Sequence, residues 1–161
     1  ISGHYLPAKI DPLRRVRGWQ PVVDAAEAAR VDLKKRTEKD VFLIGGHYGV
    51  TGVMSFYLPE AREAVSSAQP LVYFQHTGHL DNQFSFWPSY TNRVGQSAIW
   101  VRRVKSPMAP PLKMLEQFEA VVDLGITTNY YRGRPFHLIQ LFECLRLRDP
   151  AEFGRDLEVE K

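Results

Sequence analysis

The sequence predicts an α/β domain, a layered sandwich in which a mixed, mainly parallel sheet is flanked by helices and closed by a C-terminal antiparallel hairpin. Three observations carry that expectation. Asp40-Val41-Phe42-Leu43-Ile44 is a short apolar run closed by Gly45-Gly46, the pattern of a buried strand delivering the chain to a tight turn. A helix-period segment follows, and then a second apolar run, Pro70-Leu71-Val72-Tyr73-Phe74, so that strand, helix and strand come in the order that gives a parallel pair. Near the end, the segments 119–131 and 135–145 are rich in β-branched and aromatic residues around Arg132-Gly133-Arg134, a turn between antiparallel strands.

The elements follow in order. Leu6 to Gly18 contains Pro7, Pro12 and an arginine cluster, so residues 1–20 read as an extended entry segment anchored by Trp19. Between Pro21 and Arg36 the residues Val22, Val23, Ala26, Ala29, Val31 and Leu33 recur at roughly helical spacing, and Pro21 suits a first turn. Tyr48 to Leu58 places Tyr48, Thr51, Ser55 and Leu58 on one helical stripe, and Pro59 ends the segment. His76 to Asn92 is polar, aromatic and turn-rich, and a connection of that length without regular structure points to function. Ala98-Ile99-Trp100-Val101 makes a third strand. Prolines 107, 110 and 111 then break the chain before a short amphipathic segment from Leu112 to Phe118.

Size and composition bound the rest. With 161 residues and 44% hydrophobic content, residues 21–161 suffice for one domain with its own core. The formal charge of +3, from 21 basic and 18 acidic residues spread along the chain, gives no argument for nucleic acid. Basic clusters at Arg14, Arg15 and Arg17, at Lys34, Lys35 and Arg36, and at Arg102, Arg103 and Lys105 suit either solvated faces or an anionic membrane surface. The single cysteine, Cys144, excludes an internal disulfide and sits within a predicted strand as a small core residue. No apolar run approaches the ~20 residues of a spanning helix. The sequence opens on Ile1 rather than methionine, which suggests a portion of a longer product.

Several places offer chemistry. Gly45-Gly46-His47-Tyr48-Gly49-Val50-Thr51-Gly52 joins a predicted strand to a predicted helix, where backbone N–H groups and the helix dipole favour an anion; the glycine spacing is not the dinucleotide fingerprint and there is no P-loop lysine, so a tight turn without a ligand also accounts for it. His76, His79 and Asp81, with His47, have the residue types of a metal centre but lack a helical HExxH frame. Ser55 and Ser106 have no nucleophile elbow around them. Gln83-Phe84-Ser85-Phe86-Trp87-Pro88-Ser89-Tyr90 mixes aromatic rings with an amide, as in sites that stack on sugar faces and bind hydroxyls, and as in a packed core.

Four segments in order, Asp11-Pro12-Leu13-Arg14-Arg15-Val16-Arg17-Gly18-Trp19, Tyr48 through Ser55-Phe56-Tyr57-Leu58-Pro59, Gln83-Phe84-Ser85-Phe86-Trp87-Pro88, and Val94-Gly95-Gln96 before Ile99, resemble the soluble region that follows the transmembrane helices in bacterial relatives of the protein mannosyltransferases and aminoarabinose transferases. That resemblance implies an extracytoplasmic domain of an integral membrane enzyme that moves a sugar from a polyprenyl-phosphate donor to a lipid, protein or glycan acceptor. It implies that the catalytic acidic residues, and any divalent metal the enzyme requires, lie in loops between transmembrane helices, so that no catalytic residue, cofactor or metal ligand belongs to this chain. The expected contribution is to cover the active site or aid substrate binding at a membrane surface, through Tyr48, Gln83 and Trp87 by motif position and His47 by its place in the glycine turn. Two other classes stay open: a stand-alone α/β metal-dependent hydrolase or sugar-binding domain, and a structural interaction module.

Overall fold

The computed structural model describes residues 18–75, 83–131 and 134–153. Residues 1–17 of the expected extended entry over residues 1–20, the histidines His76 and His79 with Asp81, and the turn residues Arg132 and Gly133 lie outside them.

Gln20–Thr37 forms α1, with Pro21 in the first turn. It buries Val22, Val23, Ala26 and Leu33 and lays Lys34, Lys35 and Arg36 in its last turn, where cations complement the helix dipole. That basic cluster is largely ion-paired: Lys34 Nζ lies 2.7 Å from Asp40, and Arg36 reaches both Asp32 at 2.8 Å and the buried Glu143.

Five strands follow: β1 (Val41–Gly45), β2 (Val72–Phe74), β3 (Ser97–Val104), β4 (Phe118–Tyr131) and β5 (Arg134–Leu147). They lie side by side in the order β2-β1-β3-β5-β4. The pairs β1/β2 and β1/β3 are parallel, and β3/β5 and β4/β5 antiparallel, so β5 runs against the other four. The expected mixed sheet with its closing hairpin is therefore present. Every residue of β1 and β2 is buried, as their unbroken apolar runs require of strands covered on both faces.

Between β1 and β2 the chain forms α2 (Tyr48–Tyr57) and then α3 (Pro59–Ala64). Pro59 ends the first helix and opens the second, because a ring without an N–H costs nothing in a first turn. The stripe that α2 buries is Val50, Thr51 and Met54, while Tyr48 and Phe56 remain exposed. Helices α1, α2 and α3 cover one sheet face, packing on Val41, Leu43, Val72, Ile99, Val101, Ile139 and Leu141. On the other face, Phe42, Ile44, Tyr73, Trp100, Phe142 and Cys144 meet Tyr90 and Met114, the latter from α4 (Leu112–Gln117).

The described part of the connection from β2 to β3, residues 83–96, is more ordered than its composition suggests. Short 3-10 turns form at Gln83–Phe86 and Tyr90–Asn92. The Tyr90 hydroxyl donates to Gln117 Oε1 at 2.7 Å inside the second core layer. Arg93 is buried, with its guanidinium beside the rings of Phe42 and Tyr73, and it donates to Tyr73 Oη, Gln96 Oε1 and the carbonyls of Gln69 and Pro70. Gly95, at φ +77°, and Gln96 exchange backbone hydrogen bonds with Leu147. The Val94-Gly95-Gln96 step thus ties this connection to the end of β5.

Candidate functional site

In open α/β sheets, ligands gather outside the carboxyl ends of the strands, where neighbouring strands send their connections in opposite directions. Here that point lies between β1 and β3. The chain leaves β1 for β2 on one side, while β3 stands on the other. A cleft of about 920 Å³ opens beside these two strand ends.

Gly45 and Gly46 build its inner end for different reasons. Helix α2 turns back so closely over β1 that a Cβ on Gly45 would stand 2.8 Å from the Thr51 nitrogen and 2.9 Å from its Cα. Gly45 is therefore a packing glycine. Gly46 lines the cleft, and its N–H donates to Val101 O at 2.9 Å, fastening the end of β1 to β3. A Cβ there would meet Trp100 Nε1 at 3.0 Å. The Trp100 side chain is 1% exposed, and its Nε1 is buried with no hydrogen-bond partner among the described residues. An unmade buried hydrogen bond costs about 1–3 kcal/mol, so the indole N–H beside Gly46 is a local cost to the fold.

His47 is the N-cap of α2. Its Nδ1 accepts from Gly49 N at 3.1 Å, which leaves the proton of the neutral ring on Nε2. Burial, and then the positive field of Arg103, hold its pKa below the usual imidazole value. The ring is thus a neutral donor near pH 7, with its acceptor nitrogen already engaged. Tyr48 packs beside it with its ring tilted, the centroids 4.1 Å apart.

The remaining walls come from distant sequence. Arg102, Arg103 and Lys105 supply positive charge at the end of β3, and Arg102 lies 5.5 Å from the Trp100 ring. Beside them, Val104, Met108, Phe136 and Leu138 add apolar lining, brought there because β3 and β5 pair with Arg102 opposite Gln140 and Val104 opposite Leu138. Gln140 Oε1 accepts from Met108 N at 3.0 Å and holds that segment over the sheet. None of the described residues lining the cleft is acidic. The arrangement can hold an anion that also carries an apolar part.

The residues expected to bind substrate are divided by the fold. His47 lines the cleft and Tyr48 packs on it. Gln83 is exposed and Trp87 half-buried in the β2–β3 connection; neither lines the cleft. The aromatic segment itself is split, with Phe86 78% exposed and Tyr90 in the core. Ser55 donates back to Thr51 O at 2.9 Å within its helix, and burial drives the Cys144 thiol pKa well up, so neither is poised as a nucleophile. Among the described residues no group of three His, Cys, Asp or Glu is placed to hold a metal, and no helix is long and apolar enough to cross a membrane. The arginine pair at the end of β3 is the part of the site that sequence reasoning left unassigned. Its signal is a run of cations at the carboxyl end of a strand that follows a β-α-β unit.

Comparison with known proteins gives no match: no family model, no curated protein sequence and no solved structure is significantly similar to the chain.

Proposed function

We propose that the chain is a non-catalytic, extracytoplasmic domain of an integral-membrane glycosyltransferase, one that transfers a sugar from a polyprenyl-phosphate donor to a lipid, protein or glycan acceptor. Its work is to bind substrate beside a catalytic centre that lies elsewhere in the protein. The observation that carries this reading is the make-up of the cleft: three cations and an apolar wall, with no acidic side chain among its described lining residues. Transfer at a sugar carbon needs a base or a nucleophile, most often a carboxylate. The imidazole present has its acceptor nitrogen committed to Gly49. A cleft furnished this way suits capture of an anionic substrate better than its turnover.

The order of the four sequence motifs supports the same reading. Tyr48–Tyr57 is the helix whose amino end borders the cleft, and the Val94-Gly95-Gln96 step closes the connection that crosses to β3. The test is sugar transfer, followed as release of free polyprenyl phosphate from a polyprenyl-phosphate sugar. Membranes carrying the full reading frame should release it, and the isolated chain should not. Turnover by the isolated chain at the rate of the full product would contradict the proposal.

A further inference from the structure

We propose that the outer edge of β4 is a self-association surface, on which a second copy of this chain adds its own β4, antiparallel, about a two-fold axis at Thr128. Two five-stranded sheets then run on as one. The inference stands on the sheet edge, apart from the cleft and from the glycosyltransferase reading, so each can fail without the other.

The two edges of the sheet differ in kind. β2 ends it with three residues, all buried, and so short an edge offers another chain little to pair with. β4 ends it with fourteen. An antiparallel edge strand turns alternate N–H and C=O groups away from its one neighbour. Among the described residues, the backbone over 119–131 makes one hydrogen bond outside the β4/β5 pair, from Gly125 N to Asp123 Oδ1 at 2.7 Å. Glu119, Asp123 and the bulge between Asp123 and Gly125 protect the first half of this edge, since charge and a local bend both discourage pairing. The second half, Leu124-Gly125-Ile126-Thr127-Thr128-Asn129-Tyr130-Tyr131, has no charged residue and no proline. Nothing in it repels another strand, and its β-branched and aromatic residues favour one.

The charge pattern points to a second copy as the occupant and sets its direction. A parallel copy in register would lay Asp123 beside its equivalent, whereas an antiparallel copy centred on Thr128 carries Glu119 and Asp123 of each chain to opposite ends of the paired length. Paired side chains share a sheet face, so two-fold symmetry requires one residue to face its own equivalent. With Thr128 at that place, Ile126 meets Tyr130 of the partner subunit, and the same β-branched and aromatic pair recurs on the other side of the axis. Ile126, Thr128 and Tyr130 alternate onto one face, the face of Gln140 and Leu138, which stand opposite Ile126 and Thr128. Tyr130 is 62% exposed and Ile126 half-buried, so the pairing removes from water a ring that one copy alone leaves wet. An axis at Thr127 would instead bring Tyr130 against Leu124, the residue of the bulge that has no partner in β5. The paired length is below the ~20–30 residues a side of a standard interface, so the association is weak and depends on concentration.

The test is sedimentation equilibrium of the isolated chain from micromolar to millimolar concentration, where a monomer–dimer equilibrium is expected. Thr128→Lys and Thr128→Glu each set like charges opposite one another and should each weaken the dimer by roughly tenfold, while an equimolar mixture of the two should restore it. Val122→Lys, at an exposed position outside the paired length, should leave it unchanged. Tyr130→Lys, which removes both aromatic pairs, serves if the Thr128 variants do not fold. Register is read separately: Cys144 is buried, so copper-phenanthroline oxidation of Thr128→Cys should link two copies, and the same treatment of Val122→Cys should not. A monomer at every concentration overturns the proposal and means that the edge is covered within the chain or left to water. A dimer that the folded Thr128 and Tyr130 variants leave intact, or one linked more readily at position 122 than at 128, overturns it as well.

Discussion

The turn after β1 makes a strong prediction about stability, because two adjacent glycines differ in what a methyl group would meet. At Gly45 the added carbon contacts the backbone nitrogen and Cα of Thr51 at 2.8 and 2.9 Å, besides the Thr51 hydroxyl at 2.2 Å. The hydroxyl can rotate away, but the backbone cannot. Ordinary contact begins at 3.4 Å, so the first turn of α2 has to recede from β1 by about 0.6 Å. Overpacking of that kind costs ~1–3 kcal/mol. Gly45 does not occupy a left-handed conformation, so Gly45→Ala adds no backbone strain, and the smaller entropy of the unfolded chain returns up to ~1 kcal/mol. A net loss of about 2 kcal/mol lowers Tm by roughly 4–8 °C in a domain of this size. Gly46→Ala meets only the indole nitrogen at 3.0 Å, with the next atoms at 3.4 Å, and is expected to lose less than about 1 kcal/mol. Thermal and urea unfolding followed by circular dichroism measure both. If Gly45→Ala is as stable as the parent, or Gly46→Ala is the worse of the two, the account of why glycine stands at each position is wrong.

Other predictions follow from single groups. Arg93→Met keeps the aliphatic stem but leaves Tyr73 Oη and the carbonyls of Gln69 and Pro70 without their donor, and is expected to lower the urea-unfolding free energy by about 3 kcal/mol; a change below about 1 kcal/mol would show that the guanidinium is replaced by water. Cys144 is fully buried with its thiol pKa pushed up by desolvation, so a thiol reagent should modify it only as fast as the chain unfolds, and prompt reaction in native buffer would place it at the surface. His47 should titrate by NMR with a midpoint below the free-imidazole value of 6.5. Because its folded pKa is the depressed one, its contribution to stability is complete above pH 6.5 and is lost as pH falls through that value toward the folded midpoint. Arg103→Gln should move the midpoint up, and a midpoint at or above 6.5 in the parent would contradict the partly desolvated, cation-facing environment of the ring.

Much of the fold was legible because its signals are local. The runs at residues 40–44 and 70–74 are unbroken apolar segments, and such segments have few alternatives to a strand buried on both faces. Helix α1 announced itself by Val22, Val23, Ala26 and Leu33 at helical spacing after a proline. Where competing signals met, the reading fell short. Pro59 marks a stop in sequence, yet it is also a preferred first residue, and α3 begins on it. The third strand extends past Val101 through Arg102, Arg103 and Val104, residues that look like a loop until β5 is laid beside them in register. In the polar, turn-rich segment before it, Tyr90 belongs to the second core layer, where its hydroxyl donates to Gln117, a role its sequence neighbours do not announce.

The site was half legible for the same reason. Gly45-Gly46-His47 is one contiguous turn, so its place between β1 and α2 could be read from strand–turn–helix order alone. The rest of the lining is assembled from Arg102 and Met108 with Phe136 and Leu138, which lie some thirty positions apart and meet only through the β3/β5 pairing. Nothing local to Phe136 announces a cleft. The role of His47 also needed coordinates, because committing Nδ1 to the Gly49 N–H is what makes the ring a donor rather than a base.

The most direct test of the central claim is carbonate washing of membranes from cells that express the complete reading frame containing this chain, with an antibody against the chain as the readout. An integral-membrane glycosyltransferase carrying this α/β domain predicts that the chain stays with the washed membranes and becomes accessible to added protease only from the extracytoplasmic side. Recovery of the full product in the soluble fraction would contradict that claim.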